Sequence, residues 1–479
     1  MENIKVLSLD DVRRIHTASL SILEETGARV QSMRALKMLE KVGASVDYQT
    51  KLVRVPSEVV EEFVRKAPNQ VLLSAPRSEN SLRIGCYESV YFCCGGASPQ
   101  VIDLSENRPR SATSRDVVDA VRLADHLPNV KAFWAGAPIS PQDVPQQLRD
   151  LIYLKLMLEN TEKHCGLDLV SSFSARYSVK MAAAVVGGKD ELRENAIISC
   201  YVNPHSPLNW TEDVVETIFA FAELHLPIDC CCGVLSGLTA PATLAGTLCL
   251  ANAESLFSNF LAQLISPGAP VSHCCGASVS DVTSGKAVFS GPDQGLLAAA
   301  AVQMAKHYGL PVSVNGIIGD SDFSDIQSGY EKMVGALLSA LSGAERITCL
   351  GLLSSSMSFS YRQLVIDEEI AGIITHCVRG IRVDEEALSL DIIRKVGVAG
   401  NYLRGEALKH TAMRAKREHW IPDISVRSSR SANAGKTILQ KAEEKTRRIL
   451  AEQIRKLLDR ETSEELESII KEAAREINL

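Results

Sequence analysis

Between residues 113 and 380 the chain repeats one unit: a short apolar run, a polar loop, then an amphipathic helix. The unit is plainest from Pro311 to Leu350. Val312-Ser313-Val314-Asn315-Gly316 is strand-like, Gly319-Asp320-Ser321-Asp322-Phe323-Ser324-Asp325 is an acidic loop, and the helix that follows is closed by Gly343. Strands alternating with helices pair in parallel through right-handed crossovers. The pattern predicts strands at 130–136, 164–169, 196–202, 228–233, 270–276, 287–290, 311–316 and 346–352. Helices are expected at 113–126, 146–160, 173–186, 212–224, 241–264, 293–308, 325–341 and 362–380. Eight strands of this kind imply an α/β fold, a TIM-type (β/α)8 barrel. The stretch from 276 to 287 is too short for a crossover helix, so closure is expected to be irregular there. A doubly wound open sheet is the rival architecture. It would need a Gly-x-Gly-x-x-Gly first turn, which the chain lacks.

The barrel is read at 113–380, with residues 1–112 as an N-terminal α+β extension and 381–479 as a C-terminal helical tail. The extension carries expected helices at 9–27, 33–42 and 57–67, and short extended pieces at 52–55, 71–75, 82–85, 90–93 and 101–104. The tail shows charged amphipathic helices at 438–458 and 463–477, suited to packing or oligomer contacts.

Charge and cysteine usage exclude several classes. A formal charge of -7 argues against nucleic acid, which needs a basic face. The basic stretch 414–430 reads as a solvated or partner-facing loop. No apolar run approaches the roughly 20 residues of a membrane span, and the N-terminus has no signal-peptide pattern. The thirteen cysteines, clustered at Cys93-Cys94, Cys230-Cys231-Cys232 and Cys274-Cys275, read as reduced thiols of a cytoplasmic protein. A zinc site would rest on His273, Cys274 and Cys275 with Cys230 or Cys232, but no Cys-x-x-Cys pair supports it. No metal ligand set is expected.

A barrel keeps its chemistry at the C-terminal ends of its strands. The candidates there are Asn203, His205 and Trp210 after the third predicted strand. Asn315, Asp320 and Asp322 follow the seventh, with Tyr330 in the helix beyond. Phe359, Tyr361 and Arg362 follow the eighth, in a loop where Met357, Phe359 and Tyr361 alternate with serines. Glu254 sits mid-helix in an apolar stretch. Each also has a plainer reading. The aspartates suit a helix N-terminus, Tyr330 suits a core, and Glu254 suits an ion pair.

Seven stretches, in order, carry a resemblance over nearly the whole chain. They are Val71-Leu-Leu-Ser-Ala-Pro-Arg77, Arg110-Ser-Ala-Thr-Ser-Arg-Asp116, Asn203-Pro-His-Ser-Pro-Leu208, Gly237-Leu-Thr-Ala-Pro-Ala-Thr-Leu-Ala-Gly246, Gln263-Leu-Ile-Ser-Pro-Gly-Ala-Pro270, Asp325-Ile-Gln-Ser-Gly-Tyr-Glu331 and Gln363-Leu-Val-Ile-Asp-Glu-Glu-Ile370. With these the chain resembles the trimethylamine methyltransferase family. The resemblance implies a barrel that moves a methyl group from an amine to Co(I) of a separate corrinoid protein. That cobalamin belongs to the partner, which would dock at the barrel mouth, and this chain would bind no cofactor tightly. Trimethylamine members of the family carry pyrrolysine in the loop matching 317–322, where this chain has standard residues and Gly319. It resembles the branch lacking pyrrolysine, which implies a quaternary amine: glycine betaine first, then carnitine, γ-butyrobetaine or proline betaine.

A quaternary ammonium carries a good leaving group, so the reaction needs no acid or base, only positioning. Asp320, Asp322 and Tyr330 are the expected positioning groups. Trp210, Phe359, Tyr361 and Glu254 would hold the ammonium, since cations sit on aromatic faces. Asn203, His205, Asn315 and Arg362 would meet a substrate carboxylate. A homo-oligomer is expected, with no nucleic-acid or membrane partner. A zinc-dependent thiol or alcohol methyltransferase and a non-catalytic betaine-binding sensor are the alternatives.

Overall fold

The computed structural model describes residues 3–426, 435–453, 455 and 457–479, so part of the basic stretch 414–430 lies outside the described residues. Eight parallel strands close into a barrel. They are β1 (Tyr91–Gly95), β2 (Val130–Trp134), β3 (Cys165–Asp168), β4 (Ile198–Val202), β5 (Ile228–Cys230), β6 (Val271–Cys275), β7 (Val312–Asn315) and β8 (Arg346–Leu350). Closure runs from β8 back to β1, with Arg346 beside Tyr91.

The membership of the barrel differs from expectation at two places. Its first strand is Tyr91–Gly95, a short run read from sequence as part of a separate β-layer. The stretch 287–290 is not a barrel strand. Ala287–Val288 pairs antiparallel with Ser278–Ser280, in a small sheet outside the barrel. The segment 276–290 is therefore an excursion after β6, and the true crossover is the helix Gly291–Tyr308. The irregularities fall at bulges in β2 and β8, where Lys131 and Cys349 are the extra residues.

Helices follow the strands in turn: Ser114–His126, Arg149–Asn160, Ser172–Val186, Glu212–Ala222, Leu244–Ile265, Gly291–Tyr308, Ile326–Ser342 and Tyr361–Val378. Local chemistry sets their ends. Thr113 and Asp116 form a capping box, as do Asp325 and Ser328, and Gly309 and Gly343 close their helices in the left-handed region.

Helix Leu244–Ile265 is buried nearly all round, its polar Asn252, Glu254, Ser255, Ser258 and Asn259 included, so it is covered on every side. The N-terminal helices Leu9–Ser21 and Ser57–Val64 supply the outer cover. Asn252 fastens that layer by donating to Ser19 Oγ (2.9 Å) and Tyr308 Oη (2.8 Å). The C-terminal helix Ile438–Leu450 packs on both the first and the last barrel helices, and Arg460–Glu476 packs on Ser172–Val186.

The barrel interior is polar near its base. Asp229 of β5 and Arg346 of β8 are not on neighbouring strands, so their ion pair crosses the lumen, with Ser272 bonded to both. That pair also shows which face of each strand is internal.

Candidate active site

Parallel neighbours in register point the same way. Tyr201 lies beside Asp229, and Asp168 lies beside Tyr201, so both face the lumen one step above the ion pair. Trp134 joins them, because its ring meets the Tyr201 ring edge-on at 4.9 Å although β3 separates their strands. Cys231, Asn203 and Asn315 complete the group. A side chain on Gly276 would strike Asn315 Nδ2 (3.2 Å) and approach Cys231 Sγ (3.6 Å), and one on Gly233 would strike Asn203 Nδ2 (2.8 Å). Two glycines thus keep the upper lumen open beside the asparagines.

Several groups here lack protein partners. The Trp134 side chain is buried and its Nε1–H has no acceptor among the described residues; Asn203 Oδ1 has no donor. Asn315 Oδ1 accepts from Thr348 Oγ1 (3.0 Å), leaving its amide nitrogen toward the lumen beside Gly276. No described donor reaches the Asp168 side chain; its backbone carbonyl alone is bonded, by Tyr153 Oη at 2.6 Å. Burial, and then the charge of Asp150, pushes the Asp168 carboxyl up to about 7. An acid, two aromatic rings and unpaired polar atoms therefore converge where β2, β3 and β4 end. Such a set can take a cation with a polar tail.

The candidates read from sequence divide into three groups. Asn203 and Asn315 face the lumen. Asp322 and Tyr330 lie exposed on the rim, Asp322 accepting from Ser354 Oγ (2.7 Å). His205 is also exposed, and its backbone N–H bonds Asn209.

The remaining candidates are engaged in holding the fold. Trp210 is fully buried against Phe257 and donates to Ser258 Oγ (3.0 Å). It pairs with the N-terminal strand Ala28–Val30 and so belongs to a separate sheet. Phe359 is fully buried, edge-on to Tyr361, whose hydroxyl donates to Asp116 Oδ1 (3.0 Å). Arg362 donates to the Leu104 carbonyl (3.0 Å) and lies 3.6 Å from Glu443. Asp320 takes the N–H groups of Phe289 (3.0 Å) and Ser290 (2.9 Å) and so braces the turn that leads into the helix after β6. Glu254, its carboxyl pushed up to about 7 by burial, accepts from Leu208 N (2.8 Å) and Ser206 Oγ (2.7 Å). It fixes the loop that starts at Asn203, and acts through that loop.

The loop 317–321 is packed from below by a buried ion pair. Lys332 Nζ donates to Asp367 Oδ2 and to the Ile317 carbonyl, both at 2.8 Å. A side chain on Gly319 would press on Lys332 Cε at 3.1 Å. Asp367 also accepts from Gly351 N (2.7 Å), so one carboxylate holds the loops after β7 and β8 together.

The residues of the zinc alternative point to opposite sides of β6. His273 turns outward to Ser255 Oγ (2.9 Å) while Cys274, one residue on, faces the lumen beside Cys231. Among the described residues no three His, Cys, Asp or Glu groups are placed to hold a metal ion. A cleft of about 760 Å³ lies elsewhere, between two outer helices and Arg460–Glu476. Most of its charges are already paired, Arg176 with Glu476, Lys180 with Glu472 and Arg34 with Glu223.

Comparison with known proteins fixes the family. The family model "Trimethylamine methyltransferase (MTTB)" matches residues 1–478. The chain belongs to the trimethylamine methyltransferase family. Trimethylamine methyltransferase MttB of Desulfitobacterium hafniense (strain DSM 10664 / DCB-2) is 33% identical over 463 residues, covering 97% of this chain and 92% of that protein. Glycine betaine methyltransferase of Desulfitobacterium hafniense (strain Y51) is 32% identical over 475 residues, covering 98% of each. The crystal structure of monomethylamine methyltransferase MtmB from Methanosarcina barkeri is 12% identical, with a TM-score of 0.52 over 96% of this chain and 93% of that one. That last likeness is one of fold. The chain is thus an enzyme, a methyltransferase of a corrinoid-dependent family. Among the described residues no helix is long and apolar enough to cross a membrane.

Proposed function

We propose that this enzyme demethylates a quaternary amine of the betaine class, with glycine betaine as first candidate, and passes the methyl group to a corrinoid protein. The observation that carries the reading is the unpartnered Asp168 carboxylate beside the Trp134–Tyr201 ring pair. A trimethylammonium group has no N–H to donate, so rings and diffuse negative charge are what can hold it. Trp134 Nε1–H and the amides of Asn203 and Asn315 are the donors available to a substrate carboxylate. Co(I) of the partner's corrinoid would supply the nucleophile, and this chain supplies orientation and exclusion of water. The loop 317–322 supports a substrate other than trimethylamine, for it holds Ile317, Ile318 and a packed Gly319 where trimethylamine members carry pyrrolysine. The thirteen free thiols support a cytoplasmic location.

The test is methyl transfer to free Co(I) cobalamin, followed by its visible spectrum. The panel is glycine betaine, proline betaine, carnitine, γ-butyrobetaine and trimethylamine. Turnover with one betaine and none with trimethylamine is expected. Turnover with trimethylamine alone would overturn the reading, and tight betaine binding without transfer would favour a sensor.

The mouth also fits a protein partner. Val170, Leu238, Val282, Ile326, Tyr330 and Met357 lie on segments following β3, β5, β6, β7 and β8, and all are exposed apolar residues. A broken ring of that kind marks an interaction surface. The double variant Val282→Asp/Ile326→Asp is expected to slow transfer to the corrinoid protein at least tenfold while transfer to free cobalamin is unchanged. Equal loss with both acceptors would remove the rim from docking.

A further inference from the structure

From Ile381 to Glu418 the chain leaves the barrel as a helical arm. Its helices are Glu385–Leu388, Leu390–Val396 and Gly405–Glu418. Among its described residues only Ala407 is buried. Side chains that would ordinarily make a core face solvent instead: Ile381 is 92% exposed, Val383 73%, Leu403 67%, Met413 67%, and Val398 wholly. Short helices are marginal without tertiary packing, and ordering them costs conformational entropy that this arm offsets with little burial of its own. The arm requires a cover.

Its root shows where that cover must lie. The arm starts beyond Val378, at the far end of the helix that follows β8. It returns at Trp420, whose ring nitrogen lies near Gly372 together with the Asn129 amide. Asp423 and Ser425 then donate their N–H groups to Glu369, at 3.1 and 2.9 Å. Asn129 immediately precedes β2, so the root is at the base of the barrel, opposite the strand ends that carry the candidate site.

We propose that the arm is covered by a second copy of this chain. Three observations select that occupant. A protein delivering cobalt must reach the mouth, and the arm is at the other end. Residues 381–421 hold eight Lys or Arg and six Asp or Glu, a near balance that suits like meeting like and gives no single-signed face to a strongly charged partner. The arm's exposed apolar residues present on the order of 1,000 Å² of surface, comparable to the roughly 800 Å² that each partner buries in a stable interface. A self-complementary contact about a two-fold axis is the commonest way to close such a surface.

The experiment is sedimentation velocity of the full chain from nanomolar to micromolar concentration, for wild type and for Val398→Asp/Leu403→Asp. Wild type is expected to be dimeric, or a multiple of dimers, at micromolar concentration. The double variant is expected to raise the dissociation constant at least a hundredfold with its far-UV spectrum unchanged. Amide exchange within 381–418 of wild type is expected to slow as concentration rises; this readout needs no variant. A wild type that is monomeric at micromolar concentration, association that survives the double substitution, or exchange indifferent to concentration would overturn the proposal.

Discussion

Asp168→Asn is expected to lower kcat/KM for the quaternary amine about a hundredfold while leaving the protein at least as stable as wild type. At an effective dielectric constant of about 20, a unit cation some 4–5 Å from a carboxylate gains roughly 3–4 kcal/mol, and each 1.4 kcal/mol is tenfold. The amide keeps the shape and removes the charge. The stability half of the prediction follows from sign. Burial pushes the Asp168 carboxyl up to about 7 in the folded chain, above the ordinary 3.8 that applies when unfolded. Between those values the folded state holds the proton more tightly, so this group's contribution to stability declines as pH rises toward 7. Asparagine is spared that loss at neutral and alkaline pH. In wild type, kcat/KM is expected to fall as pH drops below about 7, because a protonated Asp168 cannot pair with the cation; the variant's profile should lack that limb. A bound cation favours the ionised form, so kcat should hold to lower pH than kcat/KM does. Kinetics across pH 5 to 9 with thermal unfolding at pH 8 would decide it. An Asn variant with wild-type kcat/KM would remove Asp168 from the site.

Asp367→Ala is expected to cost about 3–5 kcal/mol of stability, the usual effect of breaking a fully buried ion pair from one side. Lys332 would be left with the Ile317 carbonyl and no counter-charge, in a place neither side chain shares with water. The loops after β7 and β8 would lose their common anchor at the same time. The double replacement Lys332→Met/Asp367→Leu removes the uncompensated charge and is expected to recover much of that loss. Denaturant unfolding of both variants measures the difference. A single variant within 1 kcal/mol of wild type would show that water or a shifted Lys332 satisfies the charge.

The outer ring of the fold was legible because helices advertise themselves locally. All eight barrel helices stand within a few residues of their predicted spans, since an apolar stripe of period 3.6 and a cap at each end are read without knowing what lies across the barrel. Strand β1 was hidden for the opposite reason. Tyr91–Gly95 is a five-residue run among other short runs, and only its pairing with Arg346–Leu350, some 250 residues on, makes it part of the barrel.

The lumen-facing groups were missed for a related reason. Polar loops after the strands drew the eye, and Asp320 and Glu254 turned out to hold those loops in place. The groups left free stand on the strands themselves. Trp134, Asp168 and Tyr201 each lie at or near the final inward position of a predicted strand. The available signal was the two-residue alternation within each run, which places an acid and two large aromatics where branched apolar residues are usual. Phe359, Tyr361 and Trp210 were drawn into packing because a large ring at the edge of a barrel is more readily buried than displayed.

Closure between β8 and β1 sets a timetable for the newly made chain. During synthesis the first barrel strand emerges early and cannot meet its last neighbour until about 250 further residues are made, roughly 12 to 50 seconds at 5–20 residues per second. Through that interval the growing sheet carries an open edge on each side, and such edges invite pairing with other chains. Helix Ile438–Leu450 straddles the first and last barrel helices and so lies over the final seam. It is translated only after all eight strands exist, so the latch cannot be set before there is a closed ring for it to hold.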